Sequence, residues 1–261
     1  MPFEQTGWRV FAPETPTLTW TEHAARDAER ALKDPALAHL YQCEGTWFVG
    51  LDALDNDALG RVAGSEPLSG AAVEFLRARV GCWPALHRAQ LSVTFPGYPR
   101  PRAGENAAAF RYRRNRDAAH VDGLIGIGAP KRRFVRESHA FILGIPLNTA
   151  DPAAAPLVVW EGSHLILRRA FAEAFQGLPA DSLPDLDVTD VYQRARREVF
   201  ETCRRVPVTA PRGGAIIIHR LALHGVAPWQ EGARAGGDRR MIAYFRPEMP
   251  GGVAAWVAPD A

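Results

Sequence analysis

His120 and Asp122 stand two residues apart in the run AAHVDGL, and this pair is the first place in the 261-residue chain where chemistry can be read. Side chains alternate between the faces of an extended backbone, so residues i and i+2 project together. An imidazole and a carboxylate can then reach one metal ion from a single strand end, and Gly123 lets the backbone turn away directly afterwards. A second imidazole is offered about a hundred residues later by PRGGAIIIHRLALHGVAP. There Pro211 to Gly214 makes a turn, AIII makes a buried strand, and His219 and His224 follow. The His224–Gly225 pair suits a ligand at a strand end, with room beside it for a co-substrate. Two imidazoles and one carboxylate on one face leave about three positions open on an octahedral ferrous ion, enough for a chelating 2-oxo acid and dioxygen. Taken singly these signals are weak: His-x-Asp arises often by chance, and a His after an apolar strand is more often a core residue. Their order along the chain is what predicts a metal site.

Such a face needs a rigid frame, and the chain offers one that is mainly β. Strands are expected at 86–95, 108–114, 134–147, 156–160, 204–209, 214–219 and 239–246. Thr21 is placed to cap a helix through about Lys33, with Pro35 just beyond, and Ser69 to cap AAVEFLRARV, closed by Gly81. Ser163 precedes HLILRRAFAEAF, and Thr189 or Asp190 precedes VYQRARREVFETC, two further helices. The run QGLPADSLPDLD between them reads as a Pro-rich surface loop. With no repeat, low-complexity run or dividing linker, residues 1–261 read as one domain. Its helical N-terminal part, 1–84, is expected to pack on a barrel or sandwich of antiparallel strands.

Composition narrows the setting. An apolar fraction of 47% and a charged fraction of 23% are those of an ordinary globular protein. A net charge of +2 gives no global attraction to nucleic acid or an anionic membrane. Cys43, Cys82 and Cys203 are odd in number and far apart, so they form no disulfide framework and suit a reducing cytosol. MPFEQTGWRV has neither a basic start nor an apolar run, and no stretch reaches the roughly 18 to 20 apolar residues of a membrane helix. The expectation is a soluble, cytoplasmic protein.

Over roughly residues 88 to 247 the chain resembles the phytanoyl-CoA dioxygenase family of iron(II)/2-oxoglutarate oxygenases. The resemblance rests on FPGYP at 95–99, HVDG at 120–123, VVWEGSH at 158–164, GGAIIIHRLALHG at 213–225 and the strand RRMIAYFRP. It implies a double-stranded β-helix (jelly roll) with flanking helices, and oxidation of a substrate coupled to decarboxylation of 2-oxoglutarate to succinate. It places the metal on His120, Asp122 and His224, choosing His224 over His219. A carboxylate at 122 argues for hydroxylation, because related halogenases carry a small residue there. The family anchors the distal carboxylate of 2-oxoglutarate on an Arg of the strand after the second His. A guanidinium offers a permanently charged, bidentate match to that group. Arg239 and Arg240 compete for this role, and alternation allows only one to face inward. Arg240 is favoured, with Ile242 and Tyr244 on its face. The insertion QEGARAGGDR makes the spacing from His224 longer than is usual in the family.

His164 reads as a structural residue at a helix start, and His219 as a core or supporting histidine. Arg111, Arg113, Arg114 and Arg116 precede the His-x-Asp turn, and Lys131, Arg132, Arg133 and Arg136 follow it. These clusters suit either attraction of an anionic small-molecule substrate or a plain solvated face. No aromatic interleaving or reader motif points to nucleic acid. The leading reading is a 2-oxoglutarate-dependent hydroxylase using iron(II) and dioxygen. The competing ones are a metal enzyme that does not use 2-oxoglutarate and a jelly-roll binding module without catalysis.

Overall fold

The computed structural model describes residues 2–81 and 83–259, so Cys82 lies outside the described residues. Among the described residues twelve strands follow one another: β1 (Trp8–Phe11), β2 (Tyr41–Gln42), β3 (Trp47–Gly50), β4 (Gln90–Thr94), β5 (Leu124–Ile127) and β6 (Arg132–Val135), then β7 (Ile142–Pro146), β8 (Leu157–Trp160), β9 (Arg205–Val208), β10 (Ala215–Ile218), β11 (His224–Val226) and β12 (Arg240–Phe245). The helices are α1 (Phe3–Thr6), α2 (Thr15–Ala31), α3 (Ala71–Val80), α4 (Ala107–Asn115), α5 (Ser163–Phe175), α6 (Thr189–Thr202) and α7 (Gly252–Trp256).

A seven-stranded sheet runs in the order β1-β10-β7-β12-β4-β3-β2, and a three-stranded sheet in the order β11-β8-β9. Every pairing is antiparallel. Alternation sorts the side chains into layers. Ile142, Leu157, Val159, Val208, Ile216, Ile218, Ile242 and Tyr244 fill the space between the sheets. Their neighbours Ala215, Ile217, Met241, Ala243 and Phe245 face the other way, onto Trp20, Ala24 and Ala28 of α2 and Val73 and Leu76 of α3. Val158 and Trp160 turn outward beneath Leu167 and Phe171 of α5 and Tyr192 and Val199 of α6. Two facing antiparallel sheets with helices on both outer faces make a double-stranded β-helix.

The structure corrects several expected elements. Residues 108–114 are helical, not a strand: AAAFRYRRN is rich in good helix formers, and the Asn106 side chain caps it by accepting from the Ala109 N–H at 2.9 Å. The helix expected from Thr21, α2, begins at Thr15, because Glu14 and Thr17 form a reciprocal capping box and Pro16 suits the first turn. Thr21 sits inside that helix and donates to the Leu18 carbonyl at 2.7 Å. Gly70 and Gly162, rather than Ser69 and Ser163, precede α3 and α5, and Val188 precedes α6. The segment 1–84 is only partly helical: β1 forms one edge of the large sheet, and β3 and β2 extend the other. Residues 134–147 contain the end of β6 and then β7, separated by irregular chain. No helix among the described residues is long and apolar enough to cross a membrane.

Candidate metal centre

His120 and His224 are brought side by side by an antiparallel bridge. The His120 N–H donates to the His224 carbonyl at 2.8 Å, and the His224 N–H donates to the His120 carbonyl at 3.0 Å. Asp122, two residues further on, projects to the same side. Ligand atoms of His120, Asp122 and His224 all lie within 4.8 Å of one another. His120 Nε2 is 3.1 Å from Asp122 Oδ1, and His224 Nε2 is 3.8 Å from Asp122 Oδ2.

Two glycines permit this closeness. A Cβ on Gly225 would lie 2.1 Å from the Asp117 carbonyl oxygen, and one on Gly123 would lie 1.9 Å from that of Glu137. Gly123 also has φ +85°, which L side chains rarely adopt. The side of Gly225 where a Cβ would stand therefore faces the backbone of 117–119, while its backbone lines the cavity beside His224.

The histidines are oriented by their own backbones. His120 Nδ1 lies 3.0 Å from the Ala118 carbonyl and His224 Nδ1 lies 2.9 Å from that of Ala222. A carbonyl can only accept, so each Nδ1 carries a proton and each Nε2 is left to face Asp122. Burial pulls the His224 imidazole down to about 4, against the opposing pull of Asp122. For His120 burial acts in the same direction, but the hydrogen bond and charge of Asp122 outweigh it and the net shift is upward. Burial works against the charge on Asp122 too, yet the two imidazoles and Arg246 hold its carboxyl well below the usual range. The set is an anionic carboxylate flanked by two inward-facing imidazole nitrogens, the donor set a ferrous ion takes on one face.

A cavity of about 200 Å³ opens beside the three residues, lined by Trp47, Val49, Gln90, Ser92, Ile142, Leu157, Tyr244 and Arg246 among others. Arg246 Nη1 lies 3.1 Å from Asp122 Oδ2, and Nη2 donates to Gln90 Oε1. Deeper between the sheets, Arg240 is buried with Nη1 and Nη2 lacking any hydrogen-bond partner. Thr94 Oγ1 and the Tyr98 and Tyr244 hydroxyls are buried without partners as well. Thr94 pairs with Arg240 across β4 and β12, and the Arg240 charge acts on both phenols, which burial pushes upward. Gly144 makes room here, since a Cβ on it would come within 2.7 Å of the Tyr244 ring. Arg239 faces the opposite way and pairs with Glu29 of α2.

His219 is not part of this group. Its Nδ1 accepts from the Leu221 N–H at 3.0 Å, and its ring packs at a tilt of 43° against that of His164, with centroids 4.6 Å apart. His164 Nε2 lies 3.0 Å from the Glu4 carbonyl, tying α5 to the start of the chain. In the basic clusters, Arg113 pairs with Glu105, Arg132 with Asp187 and Asp190, and Arg136 with Asp185. The sequence reading missed Arg246, Thr94, Tyr98 and Tyr244 as site residues. Alternation from Arg240 through Ile242 and Tyr244 carries directly to Arg246, and that signal was available. Tyr98 had no periodic signal, because it lies in a turn.

No protein-family model matches the sequence, and no curated protein does either. The resemblance to phytanoyl-CoA dioxygenases thus rests on the motifs alone. Among solved structures, the chain is similar to EvdMO1 (TM-score 0.50, 20% identity), covering 94% of this chain and 48% of that one, so it spans about half of EvdMO1. It is also similar to SnoK, the non-heme alpha ketoglutarate dependent carbocyclase from nogalamycin biosynthesis (TM-score 0.48, 14% identity, 96% and 85% covered). A third is EctD from S. alaskensis with 2-oxoglutarate and 5-hydroxyectoine (TM-score 0.44, 15% identity, 97% and 74% covered). At these identities the likeness concerns the fold.

Proposed function

We propose that the chain is a non-haem iron(II), 2-oxoglutarate-dependent dioxygenase that hydroxylates a small molecule. One observation carries the reading. Three metal-type donors converge beside a cavity whose barrel also holds a buried, unpartnered arginine with three unpartnered hydroxyls. Burying a guanidinium without a counter-charge is costly, so this group is built to receive an anion. A dicarboxylate co-substrate of a metal held by His120, Asp122 and His224 would supply the anion that Arg240 lacks. Bound iron(II) and 2-oxoglutarate would supply substrate oxidation by dioxygen, coupled to loss of carbon dioxide and formation of succinate.

The residues of the chain do the positioning. His120, Asp122 and His224 would hold the ion at the edge of the cavity they line. Arg240, with Thr94, Tyr98 and Tyr244, would hold the distal carboxylate of 2-oxoglutarate. Arg246 steadies Asp122 through Oδ2, while its second nitrogen is held by Gln90. Trp47, Val49, Ile142 and Leu157 keep the cavity apolar and limit water.

The test is anaerobic addition of iron(II) and 2-oxoglutarate, reading the visible charge-transfer band of the ternary complex. Wild type is expected to develop the band and Asp122→Ala to lose it, because one of three ligands and the balancing charge are gone. A full-strength band and full iron affinity in Asp122→Ala would overturn the assignment.

A further inference from the structure

We infer that a second, arginine-lined groove beside the metal centre is an oxyanion subsite, which binds a phosphate or carboxylate group of the substrate. This rests on the reading of His120, Asp122 and His224 as a metal centre, and names the class of molecule that the centre acts on.

The groove, about 320 Å³, lies between α4, the C-terminal part of α6 and the loop leading into His120. Five arginines line it: Arg102, Arg113, Arg116, Arg133 and Arg196. Arg113 is spent on Glu105, at 2.7 Å. Among the described residues, the other four have no acidic side chain within ion-pairing distance. Aromatic rings hold them instead. The Arg116 guanidinium lies 4.3 Å from the Phe200 ring, Arg196 and Arg133 lie 5.2 and 5.5 Å from the Tyr192 ring, and Arg102 lies 5.9 Å from Trp47. A ring orients a guanidinium without neutralising it. Arg133 also donates from Nη1 to the Leu124 carbonyl at 3.2 Å, a neutral partner that leaves its charge uncompensated. Four uncompensated charges gather here on a chain whose net charge is only +2. Surface arginines scattered for solubility do not produce such a concentration, and the self-repulsion it creates is relieved when an anion binds.

Position gives the groove its meaning. Trp47 and His120 line both the groove and the cavity beside the metal centre. The Trp47 indole is fixed by donating to Ser92 Oγ at 3.1 Å, so it forms a steady partition between the two. A molecule anchored by its anion in the groove can pass this edge and present its carbon skeleton at the open side of the metal centre. The co-substrate has its own guanidinium, Arg240, buried between the sheets and absent from the groove lining. The sequence singled out eight basic residues around the site. The structure leaves two of them in this role, Arg116 and Arg133, and adds Arg102 and Arg196 from elsewhere.

The experiment titrates metal-free full chain with sodium pyrophosphate and, separately, with phthalate, by calorimetry at low ionic strength. Saturable binding of either supports the subsite, and the stronger of the two tells phosphate from carboxylate recognition. Arg116→Gln/Arg196→Gln is expected to weaken that binding about 10- to 100-fold, the loss of two charge-assisted contacts in a solvent-open groove. Arg240→Ala is expected to leave it unchanged. The iron(II)/2-oxoglutarate band should persist in the double variant, which also shows that the variant is folded. Binding of neither probe, or equal binding by the double variant, or loss confined to Arg240→Ala, overturns the inference. Anion binding intact in a wild-type protein that never forms the band would remove the oxygenase reading and leave the subsite standing.

Discussion

Thr94 and Arg240 are direct partners across the β4–β12 pair, both buried, yet neither the Thr94 hydroxyl nor the terminal nitrogens of Arg240 meets a hydrogen-bond partner. Two polar groups that are neighbours and both unsatisfied share a missing third. An anion held jointly by the two supplies what burial took away, and the nearby Tyr98 and Tyr244 hydroxyls are free to join it. Arg240→Ala is therefore expected to raise the 2-oxoglutarate requirement about 30- to 1000-fold, the cost of removing one partner of a buried charged contact. Iron affinity should stay near wild type. Arg239→Ala is the control, since Arg239 points at Glu29 on the other side of the sheet. Titrating 2-oxoglutarate against turnover in both variants checks the claim, and a loss confined to Arg239→Ala would refute it.

Metal binding should depend on pH through His120. In the metal-free protein its imidazole is shifted above the ordinary value, whereas His224 is held down at about 4 and is already neutral in the working range. A metal must displace the His120 proton below that residue's folded pKa and displaces none above it. Affinity is expected to rise by about one log unit per pH unit on the acid side and to level off on the alkaline side. Competition titrations with cobalt(II) from pH 5.5 to 8.5 would show this. A flat profile would mean that His120 carries no proton to displace.

Gly225 is expected to tolerate no side chain. Alanine there drives a Cβ into the Asp117 carbonyl, and neither backbone can yield without moving His120 away from His224. Gly225→Ala should cost about 2–3 kcal/mol of stability and weaken metal binding together. Denaturant unfolding of the metal-free protein and a parallel metal titration separate the two effects. Wild-type values in both would show that this close approach does not set the site.

Glu105 and Arg113 clamp the loop before α4 to the helix that walls the arginine groove. The Arg113 hydrogen bonds hold the Glu105 carboxyl down to about 2. Its folded value lies below the unfolded one, so its contribution is complete above about pH 4.5 and is lost as the pH falls toward 2. Glu105→Gln should cost about 2 kcal/mol at pH 7, and the gap from wild type should close on acidification through that window. Urea unfolding at several pH values reads it directly. A pH-independent difference would assign the effect to packing.

Local rules were enough for what depends on neighbours in sequence. The i, i+2 alternation put His120 and Asp122 on one side, set Arg240 with Ile242 and Tyr244, and sent Arg239 outward; all of this is backbone geometry and needs no partner. Apolar runs such as AIII and LVVW located the sheet core for the same reason. Local rules failed where two periods fit one segment: AAAFRYRRN alternates loosely, but its alanines and the Asn106 cap make it helical. They also could not see that Trp8–Phe11 and Trp47–Gly50 are strands, because those short segments are stabilised by pairing with β10 and β4, far away in the chain. The motif resemblance favoured His224 over His219, but only the tertiary structure shows that His224 meets Asp122, since the bridge between 120 and 224 spans a hundred residues of intervening chain. It alone showed which arginines are neutralised by acids and which are not, because an ion pair is a fact about distance in space.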